Sequence, residues 1–217
     1  RQKSFSKNDY YRINVEGTKR LIESAIRNKV EKFIYCSSIS VLGWDGEFPK
    51  DENSEYNPNG TYGWSKSLAE KEVLKLKDKI HCCIIRPSIT YGQDDFDGMV
   101  FKLSRMIYHN KFLRVGNVEN YVHLVDRSKL VEGFILAADY GRNGEVYIKA
   151  DDNPIKFKRL VDIIYESLGR KQYKFYVPLF IAKPVGAIFE KISNSEDPFL
   201  TRHKIDIVVK NRHYSIK

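Results

Sequence analysis

The sequence predicts an α/β fold, a parallel sheet flanked by helices, on three observations. Lys32–Ser38 and Ile80–Arg86 are apolar runs of strand length, the pattern of parallel strands buried on both faces. The segment between them, Thr61–Asp78, reads as a helix, and strand, helix, strand in that order implies a crossover between parallel neighbours. Beyond Asp94 shorter strands and helices follow in a mixed order.

In chain order, Arg1–Lys7 is polar and reads as the tail of a connection. A helix from Asp9 to Asn28 places Ile13, Leu21, Ile22 and Ala25 on its apolar face. The strand to Ser38 ends in two hydroxyls, and Val41–Gly60 is a loop rich in Gly, Asp, Glu and Pro. After the helix Thr61–Asp78 and the strand Ile80–Arg86, helices are predicted at Met99–His109, Asp126–Tyr140 and Lys156–Leu168. Strands are predicted at Phe112–Val115 and Glu145–Ile148, and helical pieces between Phe180 and Val209.

With 217 residues, 25.4 kDa and 42% hydrophobic residues, the chain can fill the core of one large domain or one and a half. Its net charge of +9 is scattered through every segment, which describes a basic solvated surface and argues against a nucleic-acid patch. Cys36, Cys82 and Cys83 match neither a disulfide framework nor a zinc pattern, so a reducing cytoplasm is expected. The start is too polar for a signal peptide, and Val177–Phe189, broken by Pro178, Lys183 and Pro184, is too interrupted for a membrane span.

Chemistry concentrates at Tyr62 and Lys66. Four residues apart on a helix, they share a face, and an ammonium beside a phenol lowers its pKa from about 10 toward neutrality. Ser38 stands at the carboxyl end of a strand, where open α/β sheets keep their sites. His123 lies in an apolar alternating run and reads as a core histidine. Trp44 and Trp64 read as packing residues, and Asn14 as either a helix cap or a support of the site.

Ser38 and Tyr62-Gly63-Trp64-Ser65-Lys66 together resemble the active-site segment of extended short-chain dehydrogenases/reductases, the NAD(P)-dependent epimerase/dehydratase superfamily. Asn14-Val15-Glu16-Gly17-Thr18, Arg86-Pro87-Ser88-Ile89-Thr90-Tyr91-Gly92 and Tyr121-Val122-His123-Leu124-Val125-Asp126 resemble further family motifs in the same order. Tyr214-Ser215-Ile216-Lys217 resembles the start of a closing helix motif. The resemblance implies a Rossmann-type sheet and a small mixed C-terminal substrate lobe. It also implies Tyr62 as acid/base, Ser38 on the substrate's reacting oxygen, Lys66 on the ribose hydroxyls of NAD or NADP, and Tyr62 and Ser88 as further cofactor contacts. A small-molecule substrate and a homodimer through helices Asp9–Asn28 and Thr61–Asp78 follow from it too.

The departures from the family pattern narrow this. No Gly-rich dinucleotide turn can be written among the 13 glycines, so the Rossmann sheet is expected to be incomplete. Residues 1–93 would be its second half, and 94–217 its interleaved last elements plus the substrate lobe. A chain of this extent is expected to be poorly soluble and unable to bind a nicotinamide cofactor alone. Ser38-Ile39-Ser40 replaces the Thr-Asp-Glu of dehydratases, which argues against elimination. Ile89 and Glu119 stand where sugar-nucleotide epimerases tend to offer Asn and Arg, and an anion there repels a diphosphate. The expected function is an NAD(P)-dependent oxidoreductase acting on a small apolar alcohol or ketone, with Val177–Phe189 lining the pocket. A sugar epimerase and a non-catalytic Rossmann-fold scaffold are the alternatives.

Overall fold

A computed structural model describes residues 5–171, 176–192 and 201–216. Helix α1 (Lys7–Tyr10), a π-helical turn (Tyr11–Glu16) and α2 (Gly17–Arg27) run as one rod, because the junction residues keep right-handed helical dihedrals. Ser6 and Asp9 start it as a reciprocal capping box. The expected apolar stripe holds in part, since Ile22 and Ala25 pack into the core, and the wide turn shifts the helical phase ahead of them. Val15 and Ile22 are buried, whereas Ile13 and Leu21 point to solvent.

β1 (Lys32–Cys36), β2 (His81–Pro87) and β7 (Val146–Lys149) form a parallel sheet in the order β1-β2-β7, with Ile34 opposite Cys83 and Ile85 opposite Tyr147. β2 is the central strand and is buried from Cys82 to Pro87. β1 lies at an edge, and the expectation of a strand buried on both faces is corrected there: of its residues only Tyr35 is buried. It also ends two residues early, since Ser38 caps a 3-10 turn, Ile39–Val41, by accepting the Ser40 N–H at 3.2 Å. α3 (Thr61–Leu74) and α2 cover one sheet face through Ile22, Ala69, Val73, Cys82 and Ile84. α5 (Arg127–Tyr140) covers the other through Ala137 against Cys83 and Ile85. Alternate β2 residues thus serve opposite layers, as the pleat requires.

A second core, built on Leu103, Ile107, Val122, Phe157, Val161 and Ile164, gathers the shorter elements. These are β3 (Ile89–Tyr91), α4 (Met99–Tyr108), β5 (Tyr121–Val122), β6 (Leu124–Asp126), β8 (Ile155–Lys156) and α6 (Phe157–Ser167), whereas β4 (Arg114–Val115) packs Val115 in a separate small cluster with Ala182 and Ile205. β3 pairs with β6 in parallel, β5 with β8 antiparallel, and β4 with β9 (Tyr176–Val177) in parallel. α7 (Leu179–Ile192) and α8 (Arg202–Val209) close the chain. Beyond them Arg212 bridges Val122 and Tyr214 bridges Lys50, so the expected helical start at Tyr214 is extended chain instead; Lys217 lies outside the described residues. Cys36, Cys82 and Cys83 are free thiols.

Candidate active site

The site forms where α3 begins against the end of β1. Gly63 makes that approach possible, since a Cβ there would stand 2.3 Å from the Ser40 carbonyl oxygen. The first turn of α3 therefore presses directly on the 3-10 turn and brings the Tyr62 phenol near Ser38, close enough for the hydroxyl to act on its titration. Ser38 Oγ also lies 2.8 Å from Ser40 Oγ. Tyr62 remains 42% exposed and packs edge-on against Tyr10 with ring centroids 6.1 Å apart.

Asn14, on the π turn, donates from Nδ2 to Ser65 Oγ at 2.9 Å, and Ser65 donates to the Tyr62 carbonyl at 2.8 Å. It is no helix cap, being inside the rod, and it braces the turn that carries Tyr62.

Lys66 departs from expectation. Its ammonium donates to the Cys36 carbonyl at 2.7 Å and lies 4.8 Å over the Tyr35 ring, and it is not among the groups acting on the phenol. The Tyr62 pKa is raised rather than lowered: partial burial dominates, and the nearby Ser38 hydroxyl only partly offsets it. Burial also lowers the Lys66 pKa, opposed by Cys36 and Glu70. The exposed carbonyl at the end of an edge strand is the stronger lure for an ammonium than a neutral phenol.

Ser88 follows β2 and is buried. Its N–H donates to the Lys149 carbonyl at 2.9 Å, while its Oγ has no partner among the described residues. Ser37 Oγ, at the end of β1, is in the same state. Two orphan hydroxyls and an ammonium with donors to spare thus sit at the carboxyl ends of adjacent parallel strands. Such a set suits a hydroxyl-rich ligand.

A cavity of about 220 Å³ opens beside Tyr62, lined by Ser40, Trp44, Asn59, Ile207, Arg212 and Tyr214. Trp44 is therefore a wall of the site as well as a packing residue, whereas Trp64 packs under Tyr11 and Lys7. A larger hollow of about 440 Å³ lies between α5 and β7 and touches none of Ser38, Tyr62, Lys66 or Ser88, so the smaller one is the chemically relevant space.

Sequence reasoning missed the group that fixes the far end of α3. Glu70 and Arg86, both buried, form a two-pronged ion pair, with Nε to Oε1 at 3.0 Å and Nη2 to Oε2 at 2.8 Å. Tyr56 donates to Glu70 Oε2 at 2.7 Å, and its phenol is pushed up to about 12 by burial and by Glu70. Arg86 Nη1 reaches the Glu52 carbonyl at 3.0 Å, and the Glu52 carboxylate accepts the Ile148 N–H of β7, also at 3.0 Å. An arginine inside the apolar run Ile80–Arg86, with a glutamate eight positions after Tyr62, was the available signal.

His123 is a core residue, as expected. Nδ1 accepts the Tyr214 N–H at 3.2 Å, so Nε2 carries the proton and donates to the Asp151 carbonyl at 2.7 Å. Glu119 pairs with Lys156 at 2.9 Å and Lys158 at 3.9 Å, two cations that offset its charge locally. Ile89 packs against the second core.

Residues 2–148 match the sequence model of the NAD dependent epimerase/dehydratase family, and the chain belongs to that family. It is 31% identical over 194 residues to an N-acetyl-alpha-D-glucosaminyl-diphospho-ditrans,octacis-undecaprenol 4-epimerase of Escherichia coli O157:H7, covering 85% of this chain and 56% of that protein. It is 30% identical over 199 residues to a 3beta-hydroxysteroid-dehydrogenase/decarboxylase of Arabidopsis thaliana, covering 83% and 44%. Among solved structures, gox2253 superposes with a TM-score of 0.78 at 27% identity over 99% of this chain and 67% of that one. The chain spans about half the length of these curated relatives.

Proposed function

We propose that this chain carries the proton-transfer residues of an NAD(P)-dependent oxidoreductase acting on a hydroxyl or ketone of a small apolar substrate. The observation that carries the reading is the seating of the first turn of α3 on the Ser38-capped turn at the carboxyl end of β1, a close approach that Gly63 permits and that sets Tyr62 beside Ser38. Tyr62 gives its phenolic proton to the substrate oxygen in reduction and takes the alcohol proton in oxidation. With its pKa raised, the phenol stands as the acid at neutral pH. Ser38 hydrogen-bonds the same oxygen and steadies the charge developing there. The orphan Ser88 and Ser37 hydroxyls and the spare Lys66 donors fit the ribose and nicotinamide end of the cofactor. The nicotinamide supplies the hydride acceptor or donor. In this reading residues 1–93 belong to the cofactor half, and 94–217 add the interleaved last elements and the substrate lobe. The exposed Tyr11, Ile13 and Leu21 support a homodimer through the first helix.

Epimerisation of a sugar nucleotide is a second reading with the same residues, favoured by the lysine pairing of Glu119. Assays of the intact protein with nicotinamide cofactors and a panel of alcohols, ketones and sugar nucleotides separate the two. In either case Tyr62→Phe lowers turnover about 100-fold or more while leaving cofactor affinity nearly intact, and Lys66→Met lowers both. Turnover of Tyr62→Phe within a few-fold of the parent would sink the assignment.

A further inference from the structure

α7 presents its side chains in reverse of the usual order. It meets α8 through small residues: Ala182 is buried, and a Cβ on Gly186 would lie 3.0 Å from Ile205 Cδ1 and 3.3 Å from the Arg202 nitrogen. Its large apolar side chains face outward. Phe180 is 77% exposed and Ile192 67%, and Ile181, Val185, Ile188 and Phe189 are exposed as well. The segment expected to line an apolar pocket therefore turns away from the protein. At 3.6 residues per turn these positions spread over about 180° of the helix circumference, and no acidic position falls within that arc.

We infer that α7 is a docking element that lies on an anionic phospholipid surface, its apolar half sunk into the boundary between headgroups and acyl chains. The width of the arc argues for lipid over another helix, because a helix pair buries only a narrow seam of about two positions in seven. Charge argues the same way. On the helix Lys183 flanks the arc, shared with Asp206 at 3.3 Å, and Glu190 lies outside the arc, paired with Arg202 at 3.0 Å, so the face carries no free anion within a chain of net charge +9. Cations beside an exposed apolar arc are what an anionic interface selects. The helix has 14 residues and contains Pro184, and no helix among the described residues is long and apolar enough to cross a membrane, so the contact lies on the surface. None of Ser38, Tyr62, Lys66 and Ser88 belongs to α7, so the inference stands apart from the proposed chemistry.

The test is flotation of the intact protein with phosphatidylcholine vesicles containing roughly 30% phosphatidylglycerol, against phosphatidylcholine alone. The protein floats with the anionic vesicles. The double substitution Phe180→Ser with Ile188→Ser keeps every charge and lowers the bound fraction about tenfold, with an unchanged circular dichroism spectrum. If the double variant misfolds, Phe180→Trp gives an independent reading, because its emission shifts to the blue on anionic vesicles. Three results overturn the inference: no flotation and no Trp shift; unchanged binding of the folded double variant, which is adsorption by charge alone; or a dimer that the variant makes monomeric while the parent ignores vesicles, which assigns the face to a second copy.

Discussion

The two ends of α3 are built on opposite terms. At the C-terminal end Glu70 and Arg86 are buried and bound to each other at two points, and Tyr56 and the Glu52 carbonyl take up further bonds. At the N-terminal end Tyr62 is half-exposed, Lys66 has donors to spare, and the neighbouring hydroxyls of Ser37 and Ser88 lack partners among the described residues. One helix therefore carries a satisfied anchor and an unsatisfied working end. The difference teaches that the anchor holds the first turn within reach of Ser38, while the groups proposed to act on a ligand keep unused hydrogen-bonding capacity.

The largest effect should come from breaking the anchor. Arg86→Met leaves Glu70 buried and unpaired, and urea unfolding should show a loss of about 3–5 kcal/mol. Pairing it with Glu70→Leu should recover most of that loss, since the stranded charge is gone. A double variant as unstable as the single one would mean that the anchor acts by shape rather than charge. Gly63→Ala comes next. Its methyl group would collide with the Ser40 carbonyl, costing about 1–3 kcal/mol and drawing Tyr62 away from Ser38, so turnover and stability should fall together. Full turnover in that variant would show that the close approach does not set the site.

A smaller effect should appear on acidification. His123 and His213 are both shifted downward, each mainly by burial, so the folded protein binds fewer protons than the unfolded chain. That contribution to stability is complete above the ordinary imidazole value of about 6.5 and is lost as pH falls from there toward the lowered folded values. Protonation of His123 would also set an N–H against the Tyr214 N–H. Stability in urea should fall between about pH 7 and pH 5, chiefly through the buried His123, with a smaller part from the more exposed His213. A flat profile across that range would contradict the neutral assignment.

Much of this organisation was legible in the sequence. The runs around Ile34 and Ile84 and the helix between them set a parallel sheet, and the spacing of Tyr62 and Lys66 with Ser38 led to the N-terminal end of α3 as the proposed site. What escaped reading depends on groups that meet only in three dimensions. The π turn rephases the first helix between Ile13, which is exposed, and Ile22, which is buried, an offset that a regular helical period does not contain. The Lys66 ammonium goes to a backbone carbonyl, and backbone acceptors carry no sequence signature. The Glu70–Arg86 pair joins residues on different elements. In α7 the apolar pattern was visible, but which side faces the protein was decided by the close fit of Gly186 against α8.

The separation of anchor from working end is tested most directly by urea unfolding of Tyr62→Phe beside the parent protein. The half-exposed phenol contributes little packing, so if it carries the proposed proton transfer the unfolding free energy should stay within about 0.5 kcal/mol of the parent while turnover is lost. A fall of about 2 kcal/mol or more, approaching the effect of Arg86→Met, would make Tyr62 part of the anchor and contradict the division of α3.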